Sequence, residues 1–102
     1  MLIIYEILSL QNILARKTKR NPFPITLEKY PNYYVYTIGT DVFKIQTDKI
    51  DEYLYLQKRK MELMIKMADK STSIYDEIQE FNNCTLKAIK CYHQRKGDDA
   101  NA

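Results

Sequence analysis

The chain has 102 residues, 45% of them hydrophobic, with a net charge of +3, two cysteines and only two glycines. That length can bury one modest core, so a single domain is expected over 1–96, followed by the polar tail "GDDANA" at 97–102. Two glycines exclude a glycine-rich phosphate loop, no run approaches the ~18 apolar residues of a membrane span, and "MLIIYEILSLQNIL" lacks the basic start of a signal peptide.

In chain order, Ile3, Ile7, Leu10 and Leu14 follow the 4-3-4 spacing of a helix face, with Leu2 and Ile13 beside them. The spacing predicts a helix over 2–18 that stops before Asn21-Pro22, because a residue preceding proline is pushed out of the helical region. Ile4, Tyr5 and Leu8 fall on its other side, and the β-branched opening "LIIYEI" is also compatible with a strand. Arg16, Lys17, Lys19 and Arg20 cluster at the end of this helix, where cations suit the dipole. With Glu6 they account for the whole net charge, since residues 23–102 hold 12 basic and 12 acidic side chains.

"ITLEK" at 25–29 alternates like a strand, and Tyr30-Pro31-Asn32-Tyr33 is turn chemistry. Gly39-Thr40 suits a two-residue type II′ turn, which pairs Ile38 with Asp41, Tyr36 with Phe43 and Tyr34 with Ile45. That register gathers Tyr34, Tyr36, Ile38, Phe43 and Ile45 on one face and leaves Tyr33, Val35, Thr37, Val42, Lys44 and Gln46 on the other. A three-residue loop would mix Lys44 into the apolar face and ranks second.

Thr47 or Asp48 is the expected cap of the next helix, with Asp51 and Glu52 in its first turn. Ile50, Tyr53, Leu54, Leu56, Met61, Leu63, Met64, Ile65, Met67 and Ala68 occupy about 200° of its wheel, twice the width of an ordinary core stripe. Such a helix is either the centre of its domain or half of a subunit interface. Lys60 falls inside that arc. Ser73 and Asp76 predict a capping box for the last helix. Its expected inner line is Ile74, Ile78, Phe81, Thr85, Ala88 and Tyr92, flanked by Cys84, Ile89 and Cys91, and it runs to Arg95. Across so short a break the two long helices must be antiparallel, each basic end beside the other's acidic start. The expected fold is α+β: an N-terminal helix, a three-stranded antiparallel β-meander, then two long antiparallel helices.

Chemistry is sparse. His93 stands alone in a last helical turn, and the carboxylates are scattered over charged faces, so no enzyme is expected. Seven residues of helix put Cys84 and Cys91 about 10 Å apart, beyond the ~7 Å a disulfide spans, so both are expected as buried thiols with no metal or cofactor. Elimination leaves a protein-interaction module of the inhibitor or adaptor type, using Tyr33, Tyr53, Tyr55, Met64 and Met67, with self-association through residues 50–68 as its simplest form. The alternative is a small DNA- or RNA-binding regulator using Arg16, Lys17, Lys19, Arg20 and Lys44. Lysine outnumbers arginine threefold, and Ile, Tyr and Asn are abundant, a usage common in AT-rich genomes. In size and lack of motifs the chain resembles accessory proteins of bacteriophages and mobile elements. That resemblance implies a cytoplasmic protein that binds and modulates one host protein, anti-defence inhibitors included.

Overall fold

The first helix, α1 (Leu2–Thr18), forms where the apolar spacing predicts it, in a computed structural model that describes residues 2–92. His93 and the predicted tail lie outside the described residues. The helix closes through a Schellman arrangement: Lys19 adopts the left-handed region (φ 57), its N–H donates to the Arg16 carbonyl (3.4 Å), and Arg20 N–H donates to the Ala15 carbonyl (2.9 Å). Its inner side centres on Ile7, Gln11 and Ala15, slightly round from the predicted line, with Tyr5 exposed.

Three antiparallel strands follow, β1 (Ile25–Lys29), β2 (Tyr33–Ile38) and β3 (Asp41–Gln46), in the order β1-β2-β3. The second hairpin takes the predicted two-residue register, with Ile38 opposite Asp41, Tyr36 opposite Phe43 and Tyr34 opposite Ile45. Gly39 has φ 61 and Thr40 does not share the positive region, as a type II′ turn requires. Tyr36 and Ile45 are wholly buried, while Val42 and Lys44 on the other side face solvent.

One 3₁₀ turn (Thr47–Lys49) leads into α2 (Ile50–Asp69), where neither Thr47 nor Asp48 caps by side chain. The backbone tightens into that turn instead, moving the helix start to Ile50. Asp51 and Glu52 do occupy the first turn of α2. α1 runs parallel to α2, as Glu6–Lys58 and Lys17–Asp69 (2.7 Å each) show, and α3 (Tyr75–Ile89) runs antiparallel, as Lys70–Glu77 (2.8 Å) and Arg59–Glu80 (2.6 Å) show. α2 is therefore the central helix, flanked by α1 and α3 with the sheet across them.

The last helix departs from expectation in three ways. Its buried line is Glu77, Cys84, Ala88 and, beyond the helix, Cys91, with Phe81 half-buried, whereas Ile78 and Ile89 face outward. The sequence holds two regular 4-3-4 series about one position apart. The one chosen puts the small side chains of Cys84 and Ala88 against α2, where they let the helices approach closely, and pairs Glu77 with Lys70. The helix also stops at Ile89 rather than near Arg95, and Tyr92 forms an antiparallel bridge to Ile45. The free edge of β3 offers backbone partners there, and the Tyr92 ring packs between Phe43 (5.0 Å between centroids) and Tyr53 (6.0 Å). The predicted capping box does not form: Ile74 takes the N-cap position without a side-chain cap bond, and Ser73 Oγ accepts from Tyr75 N–H (3.3 Å) in the turn before it.

Candidate functional site

α2 has 20 residues, about 30 Å of helix, whereas strands of six residues reach only about 20 Å. Tyr53 meets Tyr36 and Phe43 in mid-strand, and by Met64 the helix has reached the hairpin tip at Ile38 and Asp41. Past that point the sheet no longer covers it. A cleft of about 510 Å³ opens there between α1, the end of α2 and the connection to β1. Its apolar surface comes from Leu14, Ala15, Phe23, Met64, Met67 and Ala68, and Arg20 and Thr18 stand at its edge.

Two hydrogen bonds fix the connecting wall. Gln11, buried on the inner side of α1, donates its amide N–H to the Phe23 carbonyl (2.6 Å), and Gly39 N–H donates to the Pro24 carbonyl (2.9 Å). Proline on both sides of Phe23 restricts the segment further, and the ring packs over the turn glycine, 3.5 Å from where a β-carbon would sit. Phe23 still leaves 59% of its surface open. The cleft is thus preformed, and its volume lies within the ~300–1,000 Å³ of sites that seat a small ligand or anchor side chain.

One cation, Arg20, lines this cleft. Lys17 is taken up by Asp69, but among the described residues Arg16, Lys19 and Arg20 have no ion-pair partner, and all three are exposed. Lys19 holds a left-handed backbone conformation that favours glycine.

The predicted residues part company here. Met64 and Met67 line the cleft, beside Arg20 from the predicted basic patch. Tyr53 belongs to the core, 1% exposed and with its hydroxyl pKa pushed up by burial, so it cannot present itself to a partner. Tyr55 is exposed on α2 away from the cleft, lining neither it nor the inner cavity described below. Tyr33 lies on the outward face of the sheet, stacked on Tyr30 (5.1 Å) beneath Lys44 Nζ (4.3 Å), so Lys44 belongs to a different surface from the α1 cations. The apolar arc of α2 is mostly covered within the chain, with Met64 and Met67 half-buried and Ala68 exposed at its end. The sequence reading missed Gln11 and Phe23. Their signals were a polar residue on an apolar helix side and an aromatic between two prolines.

A second, smaller cavity of about 240 Å³ lies between α2, α3 and the hairpin tip, lined by Phe43, Gln57, Lys60, Phe81 and Thr85 among others. Lys60 lies over the Phe81 ring (4.8 Å), and its pKa is lowered chiefly by burial. Burial raises both free thiols, Cys84 and Cys91, away from the reactive thiolate. Among the described residues no group of His, Cys, Asp and Glu could hold a metal ion, and no helix is long and apolar enough to cross a membrane. Compared with known proteins, the chain matches no family model, no curated protein and no solved structure.

Proposed function

We propose that this chain is a small non-enzymatic protein-interaction module of the inhibitor or adaptor type. Its cleft receives an apolar side chain from a partner segment that carries flanking carboxylates. The observation that supports this reading is one juxtaposition: Met64, Met67 and Phe23 form an open apolar surface with Arg20 in the same lining, and Arg20, like its sequence neighbours Arg16 and Lys19, lacks an ion-pair partner among the described residues. Methionines adapt to irregular partner surfaces, and an unpaired basic rim steers an acidic partner.

A displayed peptide library panned against the full chain tests the reading. Selected peptides should share an aromatic or aliphatic anchor with Asp or Glu nearby. Their amide shift changes should map to Leu14, Phe23, Met64 and Met67, and Met64→Lys should abolish binding while leaving the fold intact. Selected peptides without acidic enrichment, or ones that map elsewhere, would overturn it.

The same three free cations favour a second reading, contact with nucleic-acid phosphates. Anisotropy of a mixed-sequence duplex and a single strand at roughly 50 and 200 mM salt separates the two. Micromolar binding that collapses with salt and disappears when Arg16, Lys19 and Arg20 are changed together to Ser would put nucleic acid first.

A further inference from the structure

The side of α3 that turns away from α2 carries an apolar stripe that the packing of the chain leaves uncovered. Tyr75 (65% exposed), Ile78 (42%), Leu86 (62%) and Ile89 (38%) all lie on it, with exposed Asn82 in the middle. At 100° per residue these five positions fall within about 80° of the wheel, some 140° from the buried line. They are also symmetric in sequence about Asn82, at offsets of seven and four residues on either side. An antiparallel copy of the helix centred on Asn82 therefore places Tyr75 against Ile89, Ile78 against Leu86, and Asn82 against itself.

We infer that this face of α3 is an isologous interface that pairs with a second copy of the chain about a twofold axis through Asn82. Self-complementarity favours this occupant over an unrelated one, since every apolar position of the stripe has its counterpart at the same offset on the other side of Asn82. Position matters as well. Among the described residues α3 packs chiefly on α2, at the outer side of the helical layer. An asparagine at the centre of an apolar helix seam can pair its amide with its own symmetry mate, which fixes register at the expense of affinity. Tyr75 is already ordered for the contact, since Gln79 donates its amide N–H to the Tyr75 hydroxyl (2.9 Å). A single pair of helices buries little area, so the dimer belongs among weak, concentration-dependent ones.

Sedimentation equilibrium on the full chain, from about 10 μM to about 1 mM, tests this. The unmodified chain should pass from monomer to dimer across the range. Leu86→Glu should remain monomeric with an unchanged melting temperature, because residue 86 is exposed. The twofold itself is tested by charge at position 82. Asn82→Asp and Asn82→Lys should each weaken the dimer about tenfold or more when alone, and an equimolar mixture of the two should restore it. A chain that stays monomeric throughout would overturn the inference. So would a dimer that ignores Leu86→Glu, or one whose position-82 variants do not rescue each other.

Discussion

The two halves of α2 have apolar arcs of similar breadth and meet different surroundings. At the N-terminal end Ile50, Tyr53, Leu54 and Leu56 are each below 10% exposed, enclosed by the sheet, the neighbouring helices and the returning Tyr92. At the C-terminal end Met64 and Met67 are only half-buried, and Ala68 is exposed. Beyond the buried Met61 and Leu63, ion pairs border that end: Lys17–Asp69 joins it to α1, and Lys70–Glu77 joins it to α3. One helix is thus enclosed at one end and left beside an open cleft at the other, although ion pairs occur along both halves. The cause is length, since a helix of 20 residues outruns strands of six. An amphipathic pattern marks the side that seeks cover, and the neighbouring elements decide how far cover extends.

The largest effect should come from truncating both halves in parallel. Leu54→Ala, at a fully buried position, should lose about 2–5 kcal/mol, whereas Met67→Ala beside the open cleft should lose under about 1 kcal/mol. Equal losses in urea melts would show that the cleft end is as tightly packed as the other. Next, Tyr36→Phe should raise stability by about 1 kcal/mol, because the Tyr36 hydroxyl is buried with no partner among the described residues. Burial alone pushes its pKa up to about 12. A loss of stability would reveal a hydrogen bond at that oxygen.

At the cleft, Lys19→Gly should stabilise by about 0.5–1 kcal/mol by relieving the left-handed backbone, and it should weaken binding of an acidic peptide if Lys19 belongs to the rim. Gain in stability with unchanged binding would confine the rim to Arg16 and Arg20. The smallest effect is on acid stability. Lys70 holds the Glu77 carboxyl, and Arg59 the Glu80 carboxyl, below the usual carboxylate range. Their contribution is complete above about pH 4.3, the ordinary glutamate value, and is lost as pH falls through the lowered folded-state values. Amide exchange should therefore quicken first near residues 66–80 in mild acid, and Lys70→Met should reduce that pH dependence. Uniform loosening along α2 would erase the distinction between its halves.

The local code was legible in the sheet, less so at the helix starts, where the expected side-chain caps are absent. Proline before position 25, the Gly39-Thr40 pair and the alternation of Tyr34, Tyr36, Phe43 and Ile45 act within a few residues, so the strands, their register and the turn type followed from sequence. The breadth of the α2 arc likewise marked a helix covered on several sides. The candidate cleft was half legible. Met64, Met67 and Arg20 stood out by type, but nothing local says that residues 20–23 fold back over the end of α2.

What the sequence determined by itself was therefore the α+β order of elements, the antiparallel pairing and the places where backbone geometry demands particular residues. Tertiary structure decided the rotation of α3, the stop at Ile89 and the return of Tyr92 to the edge of β3. Two helical faces about one position apart share Phe81 and Ala88, so periodicity by itself does not choose between them. Which one turns inward depends on how closely Cys84 and Ala88 let α3 approach α2, and on Lys70 waiting for Glu77, and both are properties of the partner helix. The same choice turned Ile78, Leu86 and Ile89 outward and assembled a stripe that no local pattern announces.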